Sequence, residues 1–82
     1  MTPTSAEIVK AIDRERANVE WINESIASLR KQYGGRYIAV RDRTVIDVDE
    51  DFMALLARVK KLPEPEAVTF EYILDAEYEW VL

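Results

Sequence analysis

From Thr4 to Tyr33 the chain carries neither proline nor glycine, and its apolar residues fall on one helical stripe. Ile8, Ile12, Val19, Ile22, Ile26, Leu29 and Tyr33 recur at spacings of three, four and seven, which predicts a long amphipathic helix over residues 5–33. Thr2, Thr4 and Ser5 flank Pro3, and Glu7 sits in the first turn, a pattern that starts helices. Gly34 and Gly35 end it, because glycine readily adopts the left-handed cap conformation. Such a helix is on the order of 43 Å long, whereas strands of five or six residues span roughly 17–20 Å. The helix therefore outruns any sheet the remaining chain can build. Either it breaks, at Glu15-Arg16-Ala17-Asn18 where the stripe is interrupted, or its first half projects and must bury Ile8, Val9, Ile12 and Val19 against something else. The series Ile12, Val19, Ile26 and Tyr33 keeps a strict seven-residue step. A second series, Ile8, Ile22 and Leu29, has Glu15 at its missing position, which favours a partner helix.

Downstream, Arg36-Tyr37-Ile38-Ala39-Val40 and Thr44-Val45-Ile46-Asp47-Val48 flank Arg41-Asp42-Arg43, predicting a β-hairpin over 36–48. Phe52, Leu55, Leu56 and Val59 return to helical spacing and predict a second helix over 50–62, stopped by Pro63 and Pro65. Val68, Phe70, Tyr72 and Leu74 alternate, predicting a strand over 67–74, while residues 75–82 read equally as strand, helix or extended arm. The order α-β-β-α-β predicts one α+β domain over 1–82, with both helices on one face of a small, mainly antiparallel sheet. That face would carry Ile38, Val40, Ile46, Val48, Val68, Phe70, Tyr72 and Leu74. The other would carry Tyr37, Ala39, Val45 and Ile73 among charged residues, as a half-solvated face or a contact surface.

Function classes narrow by what 82 residues omit. There is no cysteine and no histidine, which removes thiolate nucleophiles, imidazole bases and zinc sites of the Cys/His type. No glycine-rich phosphate loop or nucleophile–base pair takes their place, so an enzyme is not expected and no cofactor is implied. Asp47, Asp49, Glu50 and Asp51 lack the calcium-loop pattern and are explained by helix capping, so no metal site is expected. Eleven Lys and Arg against 16 Asp and Glu leave a net charge of −5. This opposes phosphate binding, although Arg36, Arg41 and Arg43 about the hairpin keep a nucleic-acid-binding or regulatory reading open as the alternative. No apolar run reaches membrane-spanning length and no leader pattern stands at the N-terminus, so a cytoplasmic protein without membrane contact is expected.

What remains is a non-enzymatic interaction module: an adaptor or a small complex subunit, working as a homodimer or in a hetero-complex. Its expected contact residues are Ile8, Ile12 and Val19 on the first helix, Tyr37, Val45 and Ile73 on the sheet, and Tyr78, Trp80 and Leu82 in the C-terminal arm. Trp and Tyr there are frequent interface anchors.

Tyr33-Gly34-Gly35-Arg36-Tyr37-Ile38-Ala39-Val40, followed by Val45-Ile46 and then Phe52, resembles a family of short, mostly archaeal and bacterial domains of unknown function. Their core is a Tyr-x-Gly-Lys-Tyr-Ile-Ala-Val hairpin between two helices. Trp21-Ile22-Asn23 and the run Ser28 to Tyr33 fit the upstream part, so the resemblance covers Trp21 to Leu62. Val48-Asp49-Glu50 stands where such domains usually place glycine, so the turn into the second helix is expected to differ. The resemblance implies work beside a neighbouring gene product, as an antitoxin-like partner would do, and carries no catalytic residue onto this chain.

Overall fold

Thr4 opens the first helix with a reciprocal cap. Its hydroxyl accepts from the Glu7 N–H at 3.2 Å, and the Glu7 carboxylate accepts from the Thr4 N–H at 3.2 Å. In the computed structural model, which describes residues 4–75, helix α1 then runs Ser5–Glu24 and helix α2 runs Ile26–Tyr33. The single helix expected over 5–33 is thus two. The interruption falls at Ser25 (φ −100°, ψ 6°), and α1 passes unbroken through Glu15–Asn18. Backbone bonds of 2.9 Å, from the Ser25 N–H to Trp21 and from the Leu29 N–H to Ser25, carry the chain across the interruption. Ile22 before it and Ile26 and Leu29 after it all pack into one core cluster.

Strand β1 (Arg36–Arg41) and strand β2 (Thr44–Asp49) form the hairpin, joined by Asp42 and Arg43, which both hold positive φ (50° and 58°). Two such residues match the mirror-image turn whose twist suits a two-residue hairpin. Helix α3 (Phe52–Val59) starts from Asp51, whose Oδ1 accepts from the Met53 and Ala54 N–H groups at 2.9 and 3.4 Å. It stops short of the expected Leu62. The Lys61 and Leu62 N–H groups bond to carbonyls only three residues back, tightening the chain before Pro63. A one-turn 3₁₀ helix, Pro65–Ala67, leads into strand β3 (Thr69–Ile73), shorter than the expected 67–74.

The sheet is antiparallel with order β2-β1-β3, and the α-β-β-α-β layout of an α+β fold stands as read from the sequence. The expectation of helices on one face does not. Ile22 and Leu29 pack on Ile38, Val40 and Ile73 with Val45 and Val48, whereas Leu55 and Val59 of α3 pack on Ala39 with Tyr37, Ile46 and Phe70. The sheet is therefore covered on both sides, and Ile38, Ala39 and Val40 on the central strand have no exposed surface at all. Two register features explain the difference. A bulge opposite Ala39/Val40 inserts one extra residue into β2, so Ile46 and Asp47 both turn toward α3 while Val45 and Val48 turn the other way. In β3, Phe70 lies beside Ala39 and Tyr72 beside Tyr37, which puts both on the α3 side and leaves Ile73 under α1 and α2.

The α3 side is tied further by tilted aromatic contacts. Tyr37 meets Phe52 and Tyr72 at ring-centre distances of 5.4 and 4.9 Å, and Phe52 meets Phe70 at 5.4 Å. Each buried Leu or Ile contributes about 1.5–3 kcal/mol by leaving water, so the core concentrates where both faces converge on β1.

Candidate interaction surface

One buried amide fixes where α1 leaves the globule. Asn18 is 1% exposed, and its Nδ2 donates toward Val40 O (3.3 Å), Ala67 O (3.4 Å) and Thr69 Oγ1 (3.1 Å). Its Oδ1 accepts from the Arg43 N–H at 3.0 Å. One side chain thus joins the helix to β1, to β3 and to the hairpin turn. A turn earlier, the Arg14 guanidinium lies 3.4 Å from Asp42 and 3.1 Å from Glu64, and its bond to Glu64 holds its pKa above the ordinary value.

Beyond Arg14 the anchoring ends. Residues 4–13 are exposed on every side, and a cleft of about 400 Å³ lined by Glu7, Lys10, Ala11, Arg14 and Glu66 separates the helix from the Pro65–Ala67 turn. Ile8, Ile12 and Val19 lie along one side of α1 with exposures of 48%, 50% and 39%, and Val9 adds a further exposed apolar side chain beside them; Ile12, with Ala11 and Glu15, also lines a smaller cleft against Glu66–Thr69. The described chain is correspondingly elongated, at 46 × 29 × 21 Å.

The other expected contact residues separate from these. Ile73 has no exposed surface and belongs to the core, and half-buried Tyr37 is held between Phe52 and Tyr72. Val45 packs beneath α2 and shows only one edge, in a shallow groove with Trp21, Leu29 and Tyr33. A sheet covered on one side only would leave all three on a free face, whereas this one is covered on both. Tyr78, Trp80 and Leu82 lie outside the described residues.

The three arginines of the alternative reading do not form one patch. Arg36 stands at one end of β1, 3.9 Å from Glu50. Arg41, at the other end about 17 Å away by strand geometry, donates to the Pro63 carbonyl at 2.8 Å. Arg43 sits in the turn beside Trp21 and Val45.

The acidic residues of β2 have local partners. Arg58 reaches back from α3 to Asp47 (2.9 Å) and Asp49 (2.7 Å) and donates to Val48 O at 3.2 Å. The Arg58 hydrogen bonds hold the Asp47 carboxyl below its usual range. For Asp49 the Asp51 N–H is the larger cause, with Arg58 second. Asp51 caps α3.

The sequence marks Asn18 only as part of the interrupted stripe and gives Arg58 no role. Asparagine is a poor residue for a helix interior, and its place in the interrupted stripe was a signal of a buried role. Nothing in the spacing pairs Arg58 with Asp47 and Asp49, because that contact depends on which face of the sheet receives α3.

The fold and surface together define a small α+β domain with a two-sided sheet and a protruding N-terminal helix. Residues 28–73 match DUF5678, described as a family of unknown function, and the chain belongs to that family. The matched stretch begins within α2 and ends with β3; α1 and its exposed stripe precede it. Neither curated proteins nor solved structures gave a match. Among the described residues no helix is long and apolar enough to cross a membrane.

Proposed function

We propose that this protein is a non-enzymatic protein-binding module whose contact surface is the outer face of α1. The observation that carries the reading is the exposure of Ile8, Ile12 and Val19 on one face of a helix that extends past its own globule. Large apolar side chains aligned on one unpartnered helical face lose free energy in water and gain it in a groove or against another helix. The tether at Asn18 and Arg14 supports the same reading, because it presents the face in one fixed direction. The cytoplasmic setting, the archaeal or bacterial background and the role beside a neighbouring gene product belong to this proposal as well.

The test is affinity capture from the native host with the wild-type chain and with a variant carrying Ile8→Ser and Ile12→Ser, both exposed positions. A protein retained by the wild type and lost from an equally folded variant supports the reading. Equal capture by both, or retention of nucleic acid that depends on Arg36, Arg41 and Arg43, overturns it.

A further inference from the structure

We propose that the open edge of β3 takes an extended segment of a partner protein as an added strand, with a lysine or arginine opposite Glu71 and apolar side chains lodged under Ile12 and Val19. This rests on the preceding reading of α1 as a contact surface and names what lies against it. The two outer strands of the sheet, β2 and β3, differ in how their free edges are closed. Arg41 and Thr44 close a two-residue hairpin, so Tyr37, Ala39 and Arg41 turn their backbone groups to β2 and the residues between them turn theirs to β3. On β2 the outward-facing groups of Val48 are sealed: the N–H donates to Asp47 Oδ1 at 2.8 Å and the carbonyl accepts from Arg58 at 3.2 Å. On β3, Thr69, Glu71 and Ile73 face β1, and the N–H and C=O groups of Phe70 and Tyr72 face outward. Among the described residues nothing bonds to them.

The free edge lies beneath the exposed flank of α1. Thr69, Glu71 and Ile73 share the sheet face that receives α1 and α2, since Thr69 bonds to Asn18 and Ile73 packs on Ile22. Ile12 and Glu15 border a cleft of about 160 Å³ with Val68 and Thr69 at the start of β3, whereas Asp13, Arg14 and Ala17 turn toward Asp42 and Arg43 on the hairpin side. Val19 follows Ile12 and Glu15 at helical spacing on the same flank. A strand added beside β3 therefore buries apolar side chains against Ile12 and Val19 while its backbone pairs with Phe70 and Tyr72. One occupant closes both.

Charge selects the occupant. Glu15, Glu66 and Glu71 border this groove, all three are exposed, and among the described residues none takes part in an ion pair. Glu71 stands in the middle of the edge, and against an antiparallel strand it holds a non-hydrogen-bonded position, where facing side chains come closest. A charge there repels a like strand and favours one of opposite sign. A second copy of β3 brings another Glu71, and residues 76–82 contain two glutamates and neither Lys nor Arg. Neither supplies the cation, whereas a foreign segment of the form apolar-x-Lys-x-apolar does.

NMR titration of the isotope-labelled full chain with the end-blocked peptide Thr-Val-Thr-Lys-Thr-Val-Thr, up to millimolar concentration, tests the proposal. The peptide is expected to slow amide exchange at Phe70 and Tyr72, and the same peptide with Glu in place of Lys to bind roughly three- to tenfold more weakly. Glu71→Lys is expected to reverse that order and Ile12→Ser to weaken the Lys peptide; both positions are exposed, so the fold is kept. No binding, or binding indifferent to the charge of the peptide, overturns the added strand but leaves host capture through Ile8 and Ile12 standing. Phe70 and Tyr72 amides already protected in the peptide-free chain overturn it as well: protection at every dilution assigns the edge to residues 76–82, and protection only at high concentration assigns it to a second copy.

Discussion

The two ends of α1 carry similar side chains in opposite circumstances. Ile22, near its C-terminal end, is 3% exposed against Ile38, Val40 and Ile73, whereas Ile8 and Ile12, near its N-terminal end, are half in water. Hydrophobicity alone does not distinguish them. What differs is the platform: three strands of five or six residues hold only the part of the helix that lies over them. Asn18 marks the border, since its amide is bonded on the globule side and the helix beyond Arg14 touches little. The same apolar stripe therefore supports the fold at one end and remains available for binding at the other.

The sharpest contrast is between core and stripe. Leu55→Ala removes a fully buried side chain and is expected to cost about 2–5 kcal/mol, enough to unfold a domain of this size, whereas Ile12→Ala at low concentration is expected to stay within about 0.5 kcal/mol. Urea denaturation of both variants measures the difference; equal losses would mean that Ile12 is covered by its own chain.

Next comes the border itself. Asn18→Ala leaves the Arg43 N–H and up to three acceptors without their partner, with an expected loss of about 1–3 kcal/mol. Amide exchange at Arg43 is expected to speed up more than exchange in α3. Unchanged stability would remove Asn18 from its place as the tether.

Arg43→Gly works in the other direction. Its φ of 58° is a conformation that favours glycine, so the substitution is expected to stabilise the hairpin by about 0.5 kcal/mol, read as a small rise in Tm.

The smallest expected effect is on the α3 side, at Arg58. Asp47 and Asp49 titrate below their unfolded range, so their contribution is present above roughly pH 4 and is lost as the pH falls through their folded values. Arg58→Gln is expected to flatten that acid loss while leaving α1 unaffected; an unchanged acid profile would show that the ion pairs add nothing.

How much of this was legible depended on whether a feature was local. A helix start around Pro3, a hairpin and an acidic start to the helix of Phe52 announce themselves within a few residues; the structure narrows the first to Thr4 and the last to Asp51, and shortens the expected Arg41-Asp42-Arg43 turn to Asp42-Arg43. The two-sided sheet was not legible, because it turns on a bulge in β2 and on the register of β3 against β1, both set by contacts between distant segments. Ile73 was read as surface for that reason, since one residue of register moves a strand's side chains to the opposite face. The break at Ser25 was hidden by a stripe that continues through it. The exposed stripe was one of the two outcomes that the length mismatch left open; the other, a break at Glu15–Asn18, is absent because α1 runs through those residues.

The most direct measurement is hydrogen–deuterium exchange across residues 5–17 of the dilute chain, with β1 as the internal reference. The expected result is fast exchange across 5–17, where a protruding helical segment of this length is marginal by itself, beside slow exchange in β1. Protection of residues 5–17 as strong as that of β1 would contradict an α1 face that its own chain leaves uncovered.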